Sequence, residues 1–311
     1  MSEIPKRCYP PQQLSIGGIV RRTYELHVPV RQTRIFFPLV LLFHGGGGTG
    51  KTILSRTNFA LKADAEGFIV AAPDGIYGGW NDGRGTVNPN IDDVGFVREL
   101  ISSLKSQLPI DVTRIYATGI SNGGMFTARL ACELSDVLTA IATVAGPLPT
   151  NLSRSHPTPI AVLGIQGDAD PRLPFDGTRA NSKAGQINSV VDTMNFWASI
   201  NSCNLTPIIK HLPSTVNDGT SINQFTYSCG SAEVVYYIVH GMGHTWPPHP
   251  PEKFEFEAGL TSQNINATDV IWDFFSRHSR IPSRLLPSAQ PPKRRWGAGI
   301  RRRGSWHGDP R

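Results

Sequence analysis

The chain has 311 residues, 39% of them hydrophobic, a composition ordinary for a soluble globular protein with a sizeable core. No apolar run approaches the roughly 20 residues that a membrane-spanning helix needs. The net charge of +6 is uneven: residues 281–311 hold eight Lys/Arg and one acid, which leaves 22 basic and 23 acidic residues in 1–280. A nucleic-acid role would therefore rest on the tail alone, whose Pro, Arg and Gly content predicts a disordered segment.

In chain order, Met1 to Pro11 shows no apolar h-region, so no signal peptide is expected there. Leu14 to Pro29 alternates as an edge hairpin turning at Gly17-Gly18. Leu39 to Phe43 is a continuous apolar run, the mark of a strand covered on both faces, and His44 with Gly45 to Gly48 follows. Ile53 to Glu66 predicts a helix ended by Gly67, and Phe68 to Ala72 a second buried strand before Pro73-Asp74-Gly75. A Gly/Asn/Asp loop from Tyr77 to Pro89 carries Trp80, Asn81 and Asp82. Asp92 can N-cap a helix that Pro109 stops. Strands are predicted at Ile115 to Thr118, Leu138 to Ala145, Ile160 to Ile165 and Val234 to Val239. Helices follow Ser121 and cover Val190 to Ile200 and Ala267 to His278. Alternating strands and helices predict an α/β fold, a mostly parallel sheet with helices on both faces. The division is 1–14 as an N-terminal extension, 15–280 as the catalytic domain and 281–311 as the basic tail.

The stretch Ile115 to Gly124 reads strand, Gly-x-Ser-x-Gly, helix, which is the pattern of a nucleophile elbow. A turn that tight strains the backbone at Ser121 and requires residues without Cβ atoms at Gly119 and Gly123. A serine hydroxyl needs a base within hydrogen-bond reach, and the base needs an orienting carboxylate. Ser121, Asp170 and His244 occur in that order, each just past a predicted strand. The N–H groups of Asn122 and Gly46 are the expected oxyanion donors. Asp168 rivals Asp170, and His240 rivals His244. His240 and His244 also form an H-x-x-x-H pair, but two intervening glycines argue against the helix a metal site would need. No metal and no cofactor are expected. Gly45 to Thr52 matches G-x-x-x-x-G-K-[ST], so a phosphate-binding P-loop is the competing reading of that loop. A noncatalytic binding protein is a further alternative. Trp80, Trp246, Tyr77 and Phe175 are candidates to line a substrate cleft, or equally core residues. Cys132 falls in an apolar helix, while Cys203 and Cys229 flank a polar stretch where a disulfide would constrain the loop by about 3–4 kcal/mol.

His44-Gly-Gly-Gly-Gly, Pro73-Asp-Gly, Trp80-Asn-Asp-Gly-Arg84, Gly119-Ile-Ser-Asn-Gly-Gly-Met125, Gly167-Asp-Ala-Asp-Pro-Arg-Leu-Pro174 and Gly243-His-Thr-Trp-Pro247 together resemble the polyhydroxybutyrate depolymerase and feruloyl esterase branch of the α/β-hydrolases, similar to carbohydrate esterase family one. The resemblance covers about residues 15–280. It implies a serine carboxylic ester hydrolase with Ser121, Asp170 and His244 as its triad, pairing of Cys203 with Cys229, and export to the periplasm or outside the cell. The expected substrates are feruloyl or acetyl esters of plant polysaccharide, or polyhydroxyalkanoate-type polyesters, in a cleft with little or no lid. Small or polymer-attached esters are the expected partners, with no membrane. Two residues depart from the family pattern: Gln166 stands where His is frequent, and Asp168 where Thr is frequent.

Overall fold

The computed structural model describes residues 11–16, 20–30, 35–154, 157–178, 185–230, 232–249 and 258–280. The predicted tail, the Gly17-Gly18 turn and Cys8 lie outside them. Residues 1–280 form one compact unit.

The described strands make one ten-stranded sheet in the order β1-β2-β4-β3-β5-β6-β7-β10-β9-β8. Its middle is parallel: β4 (Ile69–Pro73), β3 (Phe37–Phe43), β5 (Ile110–Ile120), β6 (Ala140–Val144), β7 (Ala161–Gly167) and β10 (Val234–His240). Antiparallel pairs flank it, β1 (Gln12–Ile16) with β2 (Val20–His27) on one side, and β9 (Ser221–Tyr227) with β8 (Ile208–Leu212) on the other. β1 begins at Gln12 and so straddles the boundary expected at residue 15.

Successive side chains of a strand face opposite ways, and β3 divides accordingly. Leu39, Leu41 and Phe43 join a core with α3 (Asp93–Gln107), α4 (Asn122–Glu133) and α5 (Val190–Ile200). Val40 and Leu42 join a second core with α1 (Gly50–Thr57), α2 (Phe59–Glu66) and α6 (Ala267–Ser276). Helices therefore cover both faces, which is why the parallel strands read as unbroken apolar runs.

Two expectations change. The helix expected over Ile53 to Glu66 is two helices, because Asn58 adopts a left-handed φ of 56° between them. The polar stretch between Cys203 and Cys229 is not a plain loop but contains the β8–β9 hairpin. Most of β8 is exposed, so it shows no apolar alternation to read. Cys203 and Cys229 are disulfide-bonded and tie the two ends of this hairpin together. Cys132 packs half-buried against the first core.

Candidate active site

Parallel strands end on one edge of a sheet, and ligand sites form there. β3 delivers His44 and Gly45–Gly48 to that edge, β5 delivers Ser121, β7 leads to Asp170 and β10 to His244.

The β5–α4 turn is strained as its sequence requires. Ser121 has φ 57° and ψ −125°, a positive φ that residues with a side chain rarely adopt. A Cβ at Gly119 would come within 2.7 Å of the Gly123 backbone, and one at Gly123 within 2.4 Å of the His44 carbonyl oxygen. The turn is fixed by the Ser121 N–H donating to the Val144 carbonyl at 3.0 Å and the Met125 N–H donating to the Ser121 carbonyl at 2.9 Å. Asn122 is the first residue of α4, so its N–H has no acceptor inside the helix.

His244 Nδ1 lies 2.7 Å from Asp170 Oδ2, and the two side chains are 6% and 0% exposed. Asp170 Oδ1 accepts the N–H groups of Arg172 at 2.8 Å and Leu173 at 2.9 Å, so the carboxylate is held by its own loop. Gln166 Nε2, the departure noted above, approaches Asp170 Oδ2 at 3.4 Å. With Nδ1–H donated to the carboxylate, Nε2 is the basic nitrogen of the His244 ring. Ser121 and His244 line one cleft of about 260 Å³ with Gly45–Gly48, Ile120, Arg56 and Arg172. The two arginines carried no sequence signal of their own, although Arg172 sits inside a family-like motif.

The glycine-rich loop is built around a neutral His44. Its Nε2 accepts the Gly75 N–H at 2.9 Å, so the proton is on Nδ1, which donates to the Gly45 carbonyl at 2.7 Å. Burial lowers the pKa of His44, which suits the neutral form. The Gly48 N–H also donates to the Gly45 carbonyl, at 3.0 Å. A trans peptide is planar, so the Gly46 N–H points opposite to that carbonyl.

The same geometry argues against a P-loop. A phosphate would bind the N-terminal N–H groups of α1. Asp74 Oδ1 already accepts the Gly50 N–H there, at 2.7 Å. Thr52 is occupied in a capping box with Thr49, and Lys51 is exposed. Among the described residues no group of three His, Cys, Asp or Glu could hold a metal ion.

Two of the four proposed cleft aromatics are core residues, a correction to the sequence reading. Trp80 and Trp246 are fully buried. Trp80 stacks on Phe126 at 5.1 Å, and its Nε1 donates to the His44 carbonyl at 3.0 Å. Trp246 packs on Phe59 at 6.1 Å, and its Nε1 donates to the Thr268 hydroxyl at 3.2 Å. Phe175 is partly buried against the first core. Tyr77 is 94% exposed with a left-handed φ of 52°, and the next residue, Gly78, accepts the Gly47 N–H at 2.7 Å.

The sequence reading missed the polar scaffold beneath the elbow. The Asn122 side chain accepts the Trp80 N–H at 2.8 Å, and donates to the Trp80 carbonyl at 2.9 Å and to Asp82 Oδ2 at 2.6 Å. Arg84 pairs with Asp82 at 2.8 Å. Asp93 accepts the Asn81 N–H at 2.7 Å and pairs with Arg22 at 2.5 Å. Arg22 also lies 3.8 Å over the Phe96 ring. Buried charges persist only when paired. The Asn122 bonds, with Arg129 Nη1 donating to the Asn81 carbonyl at 2.8 Å, hold the 80–84 loop against α4.

Comparison with known proteins agrees with this architecture. The probable feruloyl esterase C of Aspergillus niger is 28% identical over 244 residues, which cover 77% of each chain. The putative esterase NocK of Nocardia uniformis subsp. tsuyamanensis is 33% identical over 258 residues, 76% of this chain and 73% of that one. The chain belongs to the same esterase family as NocK, and its fold is that of the α/β-hydrolases. As a member of that family it is a carboxylic ester hydrolase. An acetyl xylan esterase from Aspergillus awamori superposes with a TM-score of 0.59 at 16% identity, covering 86% of this chain and 99% of that one, which shows the shared fold. No family model matches the chain.

Proposed function

We propose that this esterase works through an acyl-enzyme formed on Ser121, with His244 as base and Asp170 as its orienting carboxylate. The observation that carries the reading is the buried 2.7 Å His244–Asp170 contact at the cleft that also holds Ser121. His244 Nε2 takes the Ser121 proton as the hydroxyl oxygen attacks the ester carbonyl. The tetrahedral oxyanion is met by the N–H groups of Asn122 and Gly46, and the α4 N-terminus adds its dipole. His244 then gives its proton to the leaving alcohol, and water repeats the sequence to release the acid. Asp170 stabilises the imidazolium without taking the proton.

The names of the curated relatives favour feruloyl esters as the substrate class. Tyr77 stands at the rim of the glycine-rich loop and offers an aromatic face for a phenolic ring. The disulfide suits an oxidising compartment, so we assign the protein to the periplasm or the cell exterior. Among the described residues no helix is long and apolar enough to cross a membrane.

The test is turnover of methyl ferulate, p-nitrophenyl acetate and a hydroxybutyrate oligomer by the wild type and Ser121→Ala. Loss of about 10⁶-fold in kcat is expected for the variant. Turnover that persists in Ser121→Ala overturns the mechanism. A preference for the hydroxybutyrate oligomer over methyl ferulate overturns the substrate class.

A further inference from the structure

The two residues that rivalled the triad in the sequence are bonded to each other. His240 Nδ1 lies 2.7 Å from Asp168 Oδ2, the same separation as His244 Nδ1 from Asp170 Oδ2. The register explains the match. β7 and β10 run parallel and pair as far as Gly167 with Val239, so Asp168 and His240 are the first residues beyond the ladder. Asp168 Oδ1 also accepts the Gly241 N–H at 2.7 Å. One carboxylate thus holds both the last residue of β10 and the first residue of the loop to His244.

The far side of the His240 ring is held as well. Asn223 Nδ2 can only donate, and it lies 3.0 Å from His240 Nε2, so Nε2 is the acceptor and Nδ1 carries the proton toward Asp168. Asn223 Oδ1 in turn accepts from His211 Nδ1 at 2.5 Å across the β8–β9 ladder. Asn223 is diagonal to His240 on the β9–β10 pair, within cross-strand reach.

We propose that Asp168 and His240 form an outer clamp, a positioning pair that sets the distance and angle between Asp170 and His244. The proposal rests on the triad reading above. Asp170 is fixed within its own loop by the Arg172 and Leu173 N–H groups. His244 follows Gly241, at φ 78°, and Gly243, in a loop that backbone bonds hold further along, where the Gly243 N–H donates to the Leu260 carbonyl at 2.9 Å and the Met242 carbonyl accepts the Ala169 N–H at 3.1 Å, while its root at Gly241 is held by Asp168. The clamp joins the two loops at their roots. Its side chains are 34% and 43% exposed, and exposed pairs add little to folding stability. Misplacement of a catalytic group by about 1 Å, in contrast, costs about 10²-fold in rate. The clamp therefore acts on the rate and hardly on the fold.

The test compares Asp168→Ala, His240→Ala, the double variant and His240→Asn, reading kcat and KM on p-nitrophenyl acetate together with Tm. The Asn amide nitrogen can stand near the place of His Nδ1 and keep the donation to Asp168. We expect each Ala variant to lose about tenfold or more in kcat, with KM within about twofold and Tm within a few degrees. The double variant is no worse than the poorer single one, and His240→Asn recovers most of the rate. Unchanged kcat in Asp168→Ala, a loss that tracks the fraction unfolded, or His240→Asn as impaired as His240→Ala overturns the clamp. Ser121→Ala assayed alongside separates the two readings. If it is dead while Asp168→Ala is normal, only the clamp fails; if it is active, the triad reading fails and the clamp falls with it.

Discussion

The Ser121 backbone strain and the Asn122 side chain show what one residue can and cannot announce. Gly-x-Ser-x-Gly was legible because the steric demand is local: a Cβ at Gly119 or Gly123 collides with backbone a few residues away or on the adjoining strand. The motif points to the Asn122 N–H as an oxyanion donor but says nothing of its amide, which ties Trp80 and Asp82 to the elbow from forty residues away in the chain. Replacing Asn122 with Ala leaves the backbone N–H proposed as oxyanion donor in place but removes all three of those bonds, one of them to a buried carboxylate. We expect Asn122→Ala to lose about 1–3 kcal/mol of stability, measured by urea denaturation. An unchanged midpoint would mean that the Asn81 bonds to Asp93 and Arg129 hold the loop without Asn122. The indoles of Trp80 and Trp246 misled because a tryptophan beside a catalytic motif reads the same whether it faces the cleft or the core. Burial depends on what the rest of the chain brings to the other side of the ring, here Phe126 for Trp80 and Phe59 for Trp246.

At the scale of the element, the His44–Thr57 loop and helix had two sequence readings, and packing separates them. Asp74 comes from the adjacent β4 and occupies the end of α1, an arrangement that no local pattern in Gly45 to Thr52 contains. The same loop carries a pH dependence. Burial holds the folded-state pKa of His44 below its ordinary value near 6.5, so the unfolded chain binds the extra proton first. This contribution to stability is present above about pH 6.5 and is lost as the pH falls toward the lowered value. A protonated Nε2 also cannot accept the Gly75 N–H, so the loop loses an anchor as it charges. Denaturation between about pH 7 and pH 5 should show wild type losing more stability than His44→Gln. Equal slopes in the two proteins would rule the residue out as the source. The long parallel strands were legible as apolar runs, and so was the Asp92 cap, which accepts the Gly95 N–H at 2.8 Å. β8 was not, since a strand exposed along most of its length leaves no burial pattern.

Across the whole molecule, the sheet places six parallel strands in the middle and an antiparallel pair at each margin. The α/β class followed from the alternation of elements, whereas strand order did not, because β2–β4, β3–β5 and β7–β10 are neighbours in the sheet although other strands lie between them in the chain. The Cys203–Cys229 bond closes a loop of 26 residues around the β8–β9 margin. Its removal as Cys203→Ala/Cys229→Ala should cost about 3–4 kcal/mol in the chain-entropy account, read as a fall in Tm. Indifference of Tm to the double substitution would show that the hairpin is held by its ladder with β10 alone. That ladder also fixes an order of assembly. β10 leaves the ribosome after β7, β8 and β9, yet it sits between β7 and β9 and, among the described residues, is the only strand joining the hairpin to the rest of the sheet. Ser121 is therefore synthesised long before the strand that brings His244. On the mechanism proposed above, a nascent chain that has completed its elbow carries a serine with no base, and hydrolytic competence arrives only when the last strand has been threaded home.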